Sequence, residues 1–121
     1  MESTFVLKMK DGADIIEEIT KLADKQGIDY GLFISASGSL RKFELVGSVG
    51  EDKKFFKDSF DVDGISGRFQ KKSKTAYDMN LRIALSTDSF TSKSGRLTKG
   101  IVSGKLEIGI RKIDMKKIIE A

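Results

Sequence analysis

The sequence predicts an α+β domain: a mainly antiparallel sheet of seven to eight strands, one long helix and a short C-terminal helix, with residues 1–121 as one domain. Three observations predict it. One stretch repeats its apolar residues with the 3.6-residue period of a helix, while most of the rest alternates with the period of two of a strand. The 121 residues are the length of one ordinary domain. No internal repeat, low-complexity tract or shift of composition divides the chain.

The elements follow in order. Residues 4–10 alternate, with Phe5, Leu7 and Met9 on one face and Val6 and Lys8 on the other, as in a half-buried strand. Asp11 or Gly12 is expected to cap the helix that follows. Ile15, Ile16, Ile19, Leu22 and Ala23 form its apolar stripe, and Glu17, Glu18, Lys21 and Lys25 its polar face. Gly27 supplies a left-handed stop. Residues 28–37 are almost continuously apolar or small, which predicts a central strand buried on both faces. The small residues of Ser35-Ala36-Ser37-Gly38-Ser39-Leu40 then predict a tight backbone approach or a special turn.

Alternation resumes over 41–50, with Phe43, Leu45 and Val49 in step. Residues 51–54 form a charged turn. Residues 55–63 read as a strand, 64–69 as a short one, and 70–74 as a basic connection. Residues 77–85 are a clear amphipathic strand: Tyr77, Met79, Leu81, Ile83 and Leu85 share one face, and Asp78, Asn80, Arg82 and Ala84 the other. A polar loop spans 86–94. Strands follow at 95–103 and 105–110, with Gly104 able to bulge one continuous ribbon between them. Asp114 is placed to cap a last short helix through Ile118 and Ile119.

Composition excludes much chemistry. The chain has no Cys and no His, which removes disulfides, thiolate nucleophiles, imidazole bases and the common zinc ligands. No Pro occurs, where average usage would give about six. No apolar run approaches the roughly 20 residues of a membrane-spanning helix, and the first residues lack a signal peptide's pattern. The expectation is a cytoplasmic protein without membrane contact. The net charge of +4 is uneven: residues 1–60 carry −2 and residues 61–121 carry +6. That basic half permits contact with phosphate polyanions.

The glycines at 64, 67, 100 and 104 lie inside strand patterns, as turn and bulge glycines do, and complete no phosphate-loop motif. Oxygen ligands alone remain for a metal, and Asp61/Asp63 and Asp78/Asn80 lack an EF-hand setting. For nucleic acid, Arg68, Lys71, Lys72 and Lys74 are interleaved with the aromatics Phe69 and Tyr77. For a small ligand, the row Asp78, Asn80 and Arg82, with Ser37, Ser39 and Arg41 of the small-residue segment, is the best candidate, most of all if a second subunit covers it. One helix cannot cover both faces of so broad a sheet. The uncovered face must meet another copy or be rolled inside.

The order of these segments resembles the plant-and-prokaryote-conserved (PPC) domain, in its stand-alone prokaryotic form. The resemblance rests on Gly31-Leu32-Phe33-Ile34-Ser35-Ala36-Ser37 running into Gly38-Ser39-Leu40-Arg41, on Gly64-Ile65-Ser66-Gly67, on strand 77–85, and on Gly95-Arg96-Leu97-Thr98-Lys99-Gly100. It implies an α+β fold assembled as a homotrimer. In plants the domain accompanies AT hooks that touch DNA; this sequence has none. Many prokaryotic members carry a His-x-His pair and a further His that look like a metal site. Here those positions read Asp78, Asn80 and, at or near the third, Ile101, so the resemblance implies that the metal site is lost and no cofactor is expected.

The expected function is a homotrimeric binding or assembly module with a small-molecule pocket between subunits. The alternatives are a DNA-binding protein that uses the basic C-terminal half, and an enzyme built on a carboxylate or Lys.

Overall fold

A computed structural model describes residues 3–47 and 52–121. The elements are β1 (Ser3–Lys10), α1 (Ile15–Gln26), β2 (Tyr30–Val46), β3 (Lys53–Phe56), β4 (Phe60–Lys71), β5 (Tyr77–Ser86), β6 (Ser92–Lys112) and a 3₁₀ turn at Met115–Lys117. All strand pairs are antiparallel. The α+β class stands, but the described strands number six.

The difference from seven or eight has one cause. Small residues read as strand breaks are bulges inside two very long strands. β2 runs through 35–40 with a glycine at φ 138° (Gly38) and shifts register four times against β6. β6 runs through Gly104, φ 75°, as the bulge reading allowed. Bulges bend a strand without ending its ladder. The bends let each strand change neighbours: one edge of β2 pairs first with β4 and then with β3, and one edge of β6 first with β5 and then with β1. Two further boundaries move. Residues 55–63 split at 57–59, and 64–69 are part of β4. The expected last helix is a single 3₁₀ turn capped by Asp114. The reading of Val49, and part of the charged turn over 51–54, lie outside the described residues.

The sheet order is β1-β6-β5-β4-β2-β3, and β2 also pairs with β6 from Gly31↔Lys112 to Val46↔Arg96. That extra ladder rolls the sheet onto itself. The inner face is therefore hidden within one chain, and an uncovered inner face is not a reason to associate. β2 is also not buried on both faces. Phe33 points in, while Ile34 is 39% exposed.

The core fills the ring. Phe69 is fully buried between Phe33 and Tyr77, at 5.7 and 5.8 Å between ring centres. Phe43 stacks on Phe56 at 5.2 Å and meets the edge of Phe60 at 5.3 Å. Leu81, Ile83 and Leu85 of β5 join Leu106, Ile108 and Ile110 of β6. α1 closes the remaining side with Ile15, Ile19 and Ala23, and no charged residue enters the core among the described residues.

The helix cap is Asp14, not Asp11 or Gly12. The chain turns at Asp11-Gly12 and is extended again at Asp14, which bridges Ile101 of β6, and the Asp14 Oδ1 then accepts the Glu17 N–H at 3.1 Å. Gly27 ends the helix at φ 64° as expected. Asp11 has another role. Its Oδ1 accepts the Gly104 N–H at 2.8 Å and an N–H of Arg41, tying the β6 bulge to β2. The Arg41 guanidinium, and after it the Gly104 N–H, holds the Asp11 carboxyl below the ordinary 3.8. A carboxyl depressed by folding stabilises fully above its unfolded value and stops doing so as pH falls through its folded value. Asp11→Asn should therefore melt below the wild type at neutral pH, and the two midpoints should converge in strong acid. A thermal midpoint series from neutral pH downward checks this; parallel curves would contradict it.

Candidate functional site

Strand alternation builds the site. Because Tyr77, Met79, Leu81, Ile83 and Leu85 turn inward, Asp78, Asn80, Arg82 and Ala84 turn outward. Opposite them on β4 stand Gln70, Arg68, Ser66 and Gly64. On the other side of β5 the partner of Arg82 is Arg96 of β6. The outer face of β4–β5–β6 is thus polar and rich in arginine.

Asp78 is the hub of one end. Its Oδ2 lies 3.9 Å from Nη1 of Arg68 and 3.9 Å from Nζ of Lys72. These are Coulomb contacts, too long for hydrogen bonds. Nη1 of Arg68 is shielded from water and has no hydrogen-bond partner. The same guanidinium sits 5.8 Å from the Tyr30 ring centre, within cation–π range. Tyr30, Arg68 and Gln70 line a groove of about 350 Å³ with Met115, Ile118 and Glu120 of the C-terminal segment. A second groove, about 390 Å³, runs over Gly64, Ser66, Arg82, Ala84 and Ser94. Burial, and then the Asp24 and Asp29 carboxylates, push the Tyr77 phenol up, so it stays protonated at neutral pH.

Ser37, Ser39 and Arg41 lie elsewhere in the same chain. Ser39 donates to Asp61 Oδ1 at 2.6 Å, Arg41 binds Asp11, and Ser37 is exposed opposite Glu107. Tyr30 is in register with Gln70 and hence with Asp78, whereas Ser39 is in register with Asp61 and hence with Ser86. At about 3.3 Å per residue along β5, Ser39 stands roughly 26 Å from the level of Asp78 and roughly 13 Å from that of Arg82. A single chain does not bring them together.

The basic quartet is also divided. Arg68 and Lys72 share Asp78. Lys71, half-buried, is in phase with Phe69 and opposite Tyr77, on the other side of the strand. Lys74 is exposed in the turn before β5.

The positions implicated in a metal site do not converge. Ile101 is opposite Arg41 and bridges Asp14, away from Asp78 and Asn80. Asp78 already faces two cations. No set of three or more His, Cys, Asp or Glu side chains fit to hold a metal occurs among the described residues. These residues do not fit a metal centre. Sequence reading missed Arg96, the residue that does stand beside the β5 row. Its signal was phase: it falls between the inward residues Gly95 and Leu97. No described helix is long and apolar enough to cross a membrane.

The architecture recurs in solved structures. A PPC protein from Pyrococcus horikoshii shares 19% identity over 98% of this chain and 85% of its own, with a TM-score of 0.83. A hypothetical protein from Salmonella enterica shares 18% over 93% and 79%, at 0.82. A protein from Bacteroides thetaiotaomicron, described as a candidate DNA-binding protein, shares 15% over 92% and 79%, at 0.80. At such identities the likeness is one of fold. No curated protein matches the sequence. A family model does match, over residues 1–114, and with the rolled sheet and the single flanking helix it places the chain in the Plants and Prokaryotes Conserved (PCC) domain family.

Proposed function

We propose that the protein is a homotrimeric binding module with its ligand pocket between subunits. The pocket is the outer face of β4 and β5, with Asp78, Asn80 and Arg82, where Ser37, Ser39 and Arg41 come from a neighbouring copy. One observation carries the reading. Beside the polar cluster, the outer face of the sheet carries an apolar strip: half-buried Leu32 and exposed Ile34 on β2 and, across Gly109 of β6, Val6 on β1, which is 62% exposed. Single exposed apolar residues are ordinary surface, but a contiguous strip bordering a polar groove suits an interface. The separation of the two halves of the pocket along one chain favours completion by a second copy. Three copies related by one rotation axis would close such an interface, and a homotrimer is what the resemblance read from the sequence implies. Light scattering on untagged protein should give about three times the 13.4 kDa of one chain, and native mass spectrometry should preserve that species. A monomer at every concentration would overturn the reading.

A second reading, association with nucleic acid, is favoured by the description of the Bacteroides protein. It uses the basic half, with Arg68, Lys71, Lys72 and Lys74. Because Arg68 and Lys72 face Asp78, and Lys71 faces away from them, it predicts weak binding that falls steeply with salt. Fluorescence anisotropy on a short duplex checks this. No binding even at low salt removes it.

A further inference from the structure

The outer face holds a second cluster that the Asp78 hub does not use. Arg82 of β5 and Arg96 of β6 are direct cross-strand partners. Their side chains leave the sheet on the same face from Cα atoms about 4.5–5.5 Å apart. Arg41 and Arg68 each have a carboxylate within ion-pair distance; among the described residues Arg82 and Arg96 have none. Like charges directly opposite each other destabilise a sheet. The chain has five arginines, and it places two of them in this arrangement without a counter-ion among the described residues.

What surrounds the pair is small and polar. Ser66 stands across from Arg82 on β4, and Ser94 precedes Arg96 by two residues on β6. With Gly64, Ala84 and Gly95, and with Ile65 and Ile83, they line the groove of about 390 Å³ that Arg82 borders. Arg82 is the one charged residue of its lining, and Arg96 stands directly opposite it in register. Each guanidinium presents a planar fork of N–H donors that matches two oxygens of an oxyanion, and the serine hydroxyls add neutral donors. The charge count selects the anion. One carboxylate or one phosphodiester neutralises one guanidinium; a terminal phosphate carries about −1.5 to −2 at neutral pH and answers both.

We propose that Arg82 and Arg96, with Ser66 and Ser94, bind the phosphate or polyphosphate group of a small molecule. The proposal deepens the reading of this face as a ligand site and rests on it. It requires neither the trimer nor Ser37, Ser39 and Arg41.

The test is calorimetric titration of the full chain with inorganic pyrophosphate at low salt. Malonate and a short DNA duplex serve as competing probes. Saturable pyrophosphate binding is expected, weakened about tenfold or more in Arg82→Gln and in Arg96→Gln, the range for losing a charge-assisted hydrogen bond. Arg111→Gln, on β6 opposite Thr4 and Leu32 and outside the groove, should bind as the wild type does. Without anion, both groove variants should melt at or slightly above the wild type, because the like-charge contact is relieved. That readout separates lost binding from lost folding.

Absence of saturable binding would overturn the proposal. So would an equal loss in Arg111→Gln, malonate binding as tightly as pyrophosphate, or a duplex that binds through the same two arginines while pyrophosphate does not. Light scattering on the same samples keeps the two readings apart. A trimer blind to pyrophosphate defeats this assignment alone. A monomer with Arg96-dependent binding keeps the anion site and removes the pocket between subunits.

Discussion

Gly38→Ala and Gly67→Ala should each lower the melting midpoint by roughly 10–20 °C. Both glycines lie in the left-handed half of backbone space, at φ 138° and 100°. A Cβ on Gly38 would strike the carbonyl oxygen of Lys105 and come within 2.7 Å of the Leu106 Cα. A Cβ on Gly67 would strike the carbonyl oxygen of Asn80. The obstacles are backbone atoms of neighbouring strands, which cannot rotate aside as a side chain can. Backbone strain costs about 1–3 kcal/mol, and forced overpacking about as much. The sum of about 2–6 kcal/mol is a large part of a domain's 5–15 kcal/mol. Gly64 is the control. It lies outside the positive-φ set and nothing stands within 4 Å of its would-be Cβ, so Gly64→Ala should shift the midpoint little. Thermal melts followed by circular dichroism decide the matter. Near-wild-type midpoints for Gly38→Ala and Gly67→Ala would mean that the strands separate locally, and that the β2–β6 and β4–β5 contacts are looser than their register shows.

Gly38 also shows what the sequence could and could not tell. A small residue in an apolar run signalled a close backbone approach, and the approach exists. The signal does not distinguish a turn from a bulge, because both need a residue without a side chain. Hence one strand read as two, and the strand total came out high. The helix was legible because its stripe, its charge gradient and its Gly27 stop are all local. β5 was legible because its alternation is unbroken. β2 was not, because its continuous apolar run hides that Ile34 faces outward beside inward Phe33, and a bulge between Phe33 and Ser35 then resets the phase. Closure of the ring pairs Gly31 with Lys112, and no local pattern carries a contact across that separation. The site divides in the same way. The outward row of Asp78, Asn80 and Arg82 follows from period two. That Arg96 rather than Ile101 stands beside it, that Lys72 reaches Asp78, and that Asp11 braces Gly104 instead of capping α1, are facts of register.

Ile34→Asp should convert the proposed trimer to a folded monomer. Ile34 rests on Gly109, whose would-be Cβ lies 3.1 Å from its Cγ1, and 39% of it is exposed in the single chain. An Asp there keeps its carboxylate in water in the monomer, so the chain loses about 1 kcal/mol at most, the scale of a partly exposed site. In an assembly that covers the strip, the carboxylate must be desolvated without a partner, at several kcal/mol per site, and a cyclic trimer repeats that penalty three times. The penalty thus falls on association and spares the fold. Phe90→Asp separates interface from general charge, because Phe90 is 91% exposed at the β5–β6 loop and adjoins neither the strip nor the polar cluster. Its light-scattering mass should match the wild type. If Ile34→Asp keeps the mass of the wild-type assembly, the strip on β1, β6 and β2 is not the interface, and the polar face of β5 loses the neighbour that would supply Ser37, Ser39 and Arg41. If the mass falls to one chain while the melt holds, the same substitution yields a monomer in which the Arg82–Arg96 groove can be titrated alone, free of any residue from a second copy.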